Sequence, residues 1–211
     1  MSTVLAPLAD LPADVAIAAS ETLAKGFTDY IRHRFTLAAD PAGAQTRDIL
    51  HFGRVAAVLP IDPVRDEIVM LRQFRLAAHL STGNGELIEI VAGRVEKGEQ
   101  VSQAASRECQ EEIGITPDRL IELFSFLPSP GVSDEEITLF LGIVDASRVA
   151  ARAGLAAERE DTRPMRVPIG AALAALASGT MHNGPLIMAL QWLALNRSRL
   201  GEILRTGAVR S

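Results

Sequence analysis

Three glutamates crowd one short stretch of the 211-residue chain: Glu108, Glu111 and Glu112, with Arg107 directly before them and Glu99 eight residues earlier. Helical spacing over Gln100 to Ile113 puts Val101, Ala104, Ala105, Cys109 and Ile113 on one side and the three acids on another. Glu108 and Glu112 stand at i and i+4, so their carboxylates point the same way one turn apart, with Glu111 on nearly the same face. Carboxylates this close repel one another unless a cation sits among them. Oxygen donors at this density suit a hard divalent ion, Mg²⁺ or Mn²⁺. Glu99 can reach the same place from the preceding loop, and Arg107 can neutralise or orient the acids. Gly93 lets the backbone turn tightly, leaving a neighbouring carbonyl as a further ligand. A glutamate pair with an arginine is more often only a solvated helix face, so the spacing of the whole segment must decide.

That segment, GRVEKGEQVSQAASRECQEEIGI from Gly93 to Ile115, resembles the box of the Nudix hydrolase family. The box is Gly, five residues, Glu, seven residues, then Arg-Glu-apolar-any-Glu-Glu-any-Gly-apolar. Gly93, Glu99, Arg107, Glu108, Glu111, Glu112 and Gly114 fill every fixed position, and Cys109 and Ile115 fill the apolar ones. At about 6% per fixed residue, chance would produce this on the order of once in ten million chains of such length. Cys109 takes the apolar position on the buried side of the helix with no histidine near it in sequence. It is a small core residue by this reading, not a nucleophile. His51, His79 and His182 have no metal-like spacing.

The flanks AAVLPIDPVRDEIVMLRQFRLAAH, ELIEIVAG, SFLPSPGVSDE and IMALQWL resemble the ADP-ribose pyrophosphatase branch of that family, over about residues 45–200. The resemblance implies an α/β fold, the Nudix α/β/α sandwich with a mixed sheet, plus an N-terminal β appendage. It implies metal-dependent hydrolysis of ADP-ribose to AMP and ribose 5-phosphate. Carried over residue by residue, Glu108 and Glu112 match metal ligands, the backbone carbonyl of Ala92 another, and Glu111 a ligand or a ligand's partner. Gly93, Glu99 and Arg107 then shape the box. Glu135 matches an acid closing the site from the far side. Arg75 matches an arginine on the diphosphate, and Arg47 one that a second subunit supplies in a domain-swapped homodimer. The general base matches Glu158 or Glu160 in the acidic loop AAERED. Two other readings stand beside this one: a Nudix pyrophosphatase for another nucleotide sugar such as GDP-mannose, and a catalytically inactive ADP-ribose-binding sensor.

The rest of the chain must position these residues. Its composition, 48% hydrophobic and 22% charged, is that of a globular domain with room for a full core. Of the net charge of -5, a net of -4 falls between Glu86 and Glu112, seven acids against Arg94, Lys97 and Arg107. This argues against nucleic acid or an anionic membrane as partner, while a small diphosphate can be reached through metal; with the resemblance, the partner implied is a small nucleoside diphosphate sugar. A single cysteine excludes an internal disulfide and a multi-cysteine zinc site, and points to the cytoplasm. No leader or membrane span is expected: the first twenty residues lack Lys and Arg, and the apolar run Leu186 to Leu195 is far short of the roughly 20 residues a span needs.

The expected organisation is a β-rich dimerisation segment over residues 1–50, the hydrolase domain over 51–200 and a tail over 201–211. Residues 1–26 read as an Ala-rich lead, Phe27 to Leu37 as a long strand, and DPAG at Asp40 to Gly43 as a turn. RVAAVLPI and IVMLRQF form a hairpin, STGNG a turn, and ELIEIV one strand. After the box helix come strands near 120–126, 137–144 and 165–167, then helices near 170–177 and 183–196.

Overall fold

Long aliphatic runs, punctuated by Gly, Pro and Asp, form strands that bury on both faces, and the computed structural model shows where they pair. It describes residues 8–154 and 161–209. The chain divides into two compact units, Met1–Phe52 with Ser129–Asp134, and Gly53–Pro128 with Glu135–Ser211.

The first unit is an antiparallel sheet of β1 (Val15–Ala24), β2 (Asp29–Leu37) and β3 (Asp40–His51), in that order. The Ala-rich lead is not a plain approach to the Phe27 strand but holds the first strand of this sheet. Its Val15–Ala24 stretch pairs along β2 with all ten residues exposed. Nor is DPAG the turn. Leu37 pairs with Asp40, so the chain reverses at Ala38 and Ala39. Pro41 is tolerated because an outer strand can lose a donor, and Asp40 Oδ1 accepts the Gly43 N–H at 3.1 Å. Residues 129–134 belong to this unit: the Leu50 N–H donates to the Val132 carbonyl at 2.9 Å, and Asp134 accepts the Phe52 N–H at 2.6 Å and pairs with His51.

The second unit holds β4 (Arg54–Asp62), β5 (Glu67–Phe74), α1 (Leu76–Thr82), β6 (Glu86–Glu89), β7 (Val91–Arg94), α2 (Val101–Ile113), β8 (Arg119–Phe126), β9 (Glu136–Ile143), β10 (Arg163–Pro168), α3 (Ile169–Ala177), α4 (Gly184–Asn196) and α5 (Leu200–Thr206). Its mixed sheet runs β10-β5-β4-β9-β8, with β6 paired to β5 and β7 to β4. The central β4–β9 pair is parallel. ELIEIV is thus two short strands. β4 and β5 pair with each other only at Ile61–Ile68 and Asp62–Glu67. Beyond that they diverge, and the chain steps at Ile90 from one to the other.

Ala56, Val58, Val69, Leu71 and Phe140 pack under Ala104, Ala105, Cys109 and Ile113 of α2. The alternate residues of β4, Val55, Ala57, Leu59 and Ile61, are also buried, and α4 lies against β4 with Leu186, Ala189, Leu190 and Leu193 inward. Helices therefore cover both faces of the sheet, which is why these strands read as unbroken apolar runs. Residues 201–206, expected as part of the tail, form α5 together with Leu200, and this helix buries Leu200 and Ile203. STGNG contains the end of α1 and its left-handed cap Gly83. Among the described residues no helix is long and apolar enough to cross a membrane.

Candidate active site

The box helix is specified at both ends. Gln100 and Gln103 form a reciprocal capping box at its start. Gly114 takes the left-handed conformation at its end (φ 74°) and donates to the Gln110 carbonyl at 3.1 Å. Between them α2 buries Ala104, Ala105, Cys109 and Ile113, and with them Glu108 and Glu112. A solvated face would leave both acids in water. Here they are 9% and 2% exposed, and a buried carboxylate needs donors to offset its desolvation. Glu112 Oε2 accepts the Ala92 N–H at 3.1 Å, and Glu108 Oε1 accepts from Arg107 at 2.7 Å.

Arg107 gathers the rest. Its Nε and Nη2 donate to the two oxygens of Glu99 at 3.1 Å each, Nη1 also donates to Glu111 at 3.1 Å, and Nη2 to the Arg94 carbonyl at 2.8 Å. The Glu99 carboxylate first, and Glu108 with it, raises the guanidinium's proton affinity against the opposing effect of burial, and Arg107 in turn holds Glu99 below the ordinary carboxylate range. Glu99 also closes the loop by accepting the Glu96 N–H at 2.9 Å. Gly93 serves differently from the expectation. It lies within β7 opposite Ala56, without positive φ, and a Cβ there would overlap the Glu108 carboxylate. Its missing side chain makes room; it does not make a turn. Cys109 is fully buried, and burial with the nearby Glu112 and Glu108 raises its thiol pKa far beyond reactivity at neutral pH.

Among the described residues no three Asp, Glu, His or Cys side chains stand together as a metal-holding group. The hard-oxygen donors nonetheless fit a divalent cation: two buried carboxylates one turn apart, the backbone at Ala92 beside them, and a glycine at 93 whose missing side chain leaves room for the Glu108 carboxylate.

The remaining expected residues are distributed as follows. Arg75 follows β5, and its Nε donates to both oxygens of Glu89 at 3.1 Å while Nη2 donates to Oε2 at 2.7 Å. Glu89 was not among the sequence candidates. The available signal was a second acid, after Glu86, in the strand ELIE, but its burial depends on pairing with Leu71 of β5. Glu135 is half-buried directly before β9. Arg47 is exposed on β3 of the first unit and donates to the Thr46 carbonyl at 2.8 Å and to Gln45 at 3.3 Å. Glu158 and Glu160 lie outside the described residues.

Comparison with known proteins gives a consistent pattern. Residues 51–187 match the NUDIX domain family. An ADP-ribose pyrophosphatase of Escherichia coli (strain K12) is 40% identical over 190 residues, 89% of this chain and 91% of that protein. A GDP-mannose pyrophosphatase of Citrobacter koseri is 30% identical over 167 residues, 78% of this chain and 80% of that one. A crystal structure of an ADP compounds hydrolase shares the fold, with a TM-score of 0.64 at 16% identity, over 88% of this chain and 97% of the other.

Proposed function

This chain belongs to the Nudix family, and from that membership we propose that it hydrolyses the diphosphate bond of ADP-ribose to AMP and ribose 5-phosphate. The observation that carries the chemistry is the buried pair Glu108 and Glu112 on one turn of α2, with Gly93 cleared of a side chain beside it. The substrate is supported by likeness to ADP-ribose pyrophosphatases along most of both chains, at higher identity than to a GDP-mannose enzyme.

Mg²⁺, or Mn²⁺, held by Glu108, Glu112 and the Ala92 carbonyl, would offset the negative charge of the diphosphate and favour attack by water. The other residues act on substrate or proton. Glu158 or Glu160 takes the proton from the attacking water. Arg75 holds non-bridging oxygens as charge builds on them. Glu135 closes the site from the far side. Arg107, bridging Glu99, Glu108 and Glu111, keeps the box carboxylates in place.

The working form is a domain-swapped homodimer in which Arg47 reaches the other subunit's substrate. Supporting this, Val15, Ile17, Leu23, Tyr30 and Leu50 of the first unit are exposed apolar residues, the kind a second copy would cover. The small nucleoside diphosphate sugar is the partner in place of nucleic acid or membrane, in keeping with the net charge of -5. A sole, buried cysteine supports a cytoplasmic setting.

The test is AMP release from ADP-ribose, with and without Mg²⁺, by the unaltered protein and by Glu112→Gln. The variant is expected to keep its melting temperature within a few degrees and to lose Mg²⁺-dependent turnover. Undiminished turnover would remove Glu112 from the metal site. Faster cleavage of GDP-mannose than of ADP-ribose would overturn the substrate.

A further inference from the structure

Glu89 is 4% exposed, yet no step above uses it. Burying a carboxylate is costly unless an opposite charge and hydrogen bonds replace the lost water. Here the replacement is the three-contact fork from Arg75. The two side chains are unequally placed, 6% exposed for Glu89 and 43% for Arg75. The acid is the fixed half of the pair, and the guanidinium is the half that meets solvent.

Register gives the pair its direction. Glu89 stands opposite Leu71, and directly opposed residues of an antiparallel pair project to the same face. Leu71 packs in the cluster that contains Ala104 and Cys109 of α2, so Glu89 is on the box-helix face. Three residues further on, the Ala92 N–H donates to the Glu112 carboxylate at 3.1 Å. Three residues of extended chain span only about 10 Å. One short stretch of backbone therefore anchors both the arginine and a box carboxylate.

We propose that Glu89 is a positioning residue: from the Glu89–Ala92 stretch it holds the Arg75 guanidinium at a set reach from Glu112, so that the arginine meets the diphosphate already oriented. This rests on the reading that Arg75 contacts the diphosphate. A guanidinium is planar, so fixing Nε and Nη2 on one carboxylate fixes the plane of the whole group. A donor oriented before the reaction needs no reorganisation as charge develops.

The test is a double-mutant cycle on kcat/KM for ADP-ribose, with Tm measured for every variant. Glu89→Gln and Arg75→Ala should each lower kcat/KM on the order of ten- to a hundredfold. The double variant should be no worse than Arg75→Ala alone, since a positioning residue has nothing to act through once the arginine is gone. Additive losses would overturn the proposal while leaving the role of Arg75 intact. Unchanged kcat/KM in Arg75→Ala would instead remove Arg75 from the reaction, and the proposal with it. A carboxylate needed only for folding would lower Tm alike in both backgrounds and leave kcat/KM of the folded protein untouched; that pattern also overturns it. If Glu89→Gln does not fold, Glu89→Asp keeps the charge and shortens the reach by one methylene. Wild-type kcat/KM in that variant would count against the proposal.

Discussion

Gly93 occupies a strand position opposite Ala56 at which any Cβ would collide with the Glu108 carboxylate. The obstruction is the end of a side chain, so Gly93→Ala should leave the sheet standing and push Glu108 away from Arg107. The expected outcome is a Tm within a few degrees of the parent and kcat for ADP-ribose lower by about a hundredfold, as misplacement of about 1 Å can cause. Turnover at the parent rate would show that Glu108 has slack. Individual residues were legible in the sequence to the extent that one local spacing ties them together. Gly93, Glu99, Arg107, Glu108, Glu111 and Glu112 all fall within one continuous stretch of strand end, loop and helix. Glu89 was not legible, because what buries it is a neighbour in β5 and an arginine fourteen residues before it. The reason for Gly93 was misread on the same ground: a glycine's φ is local, but the side chain that needs its space comes from α2.

Asp62, the last residue of β4, ties three elements at one carboxylate. It is 1% exposed and accepts the N–H groups of Val64 (2.9 Å), Arg65 (3.0 Å) and Ala146 (2.9 Å) and the Arg65 Nη1 at 2.7 Å. Burial pushes this carboxyl up, but the Ala146 amide, the Arg65 guanidinium and the other two amides outweigh it and hold it below the ordinary range. A group whose pKa falls on folding stabilises the fold above its unfolded pKa, roughly pH 4, and loses that contribution as pH drops through the folded value. Asp62→Asn should therefore cost about 2 kcal/mol at pH 7, the scale of leaving a buried donor unmatched. In urea titrations the gap between variant and parent should narrow below about pH 4; a gap independent of pH would refute the electrostatic origin. Among the elements, α2, β4, β5, β8 and β9 were legible because apolar period and end signals agree within each. β1 and α1 were not, since neither buries a side chain and each exists through its neighbours. The division of ELIEIV into β6 and β7 follows from the divergence of β4 and β5, which no local pattern encodes.

For the whole molecule the first unit carries the assembly prediction. Ile17 is 58% exposed on a strand with no buried residue. Light scattering should give twice the 22.6 kDa chain mass, and Ile17→Glu should shift the protein toward monomer. A monomeric parent protein would remove the swapped-dimer reading and with it the role of Arg47. The same unit has a discontinuous chain: Leu50, His51 and Phe52 bond to residues 132–134, the Phe52–Asp134 contact spanning 82 positions. During synthesis the β1–β3 hairpins emerge early, but they lack part of their own hydrogen bonding until β8 and the following loop have been made. Contacts closed over so long a loop form late. A ribosome stalled before residue 129 would hold the three strands with Leu50, His51 and Phe52 still lacking their bonds to residues 132–134, leaving that end of β3 open to another nascent chain.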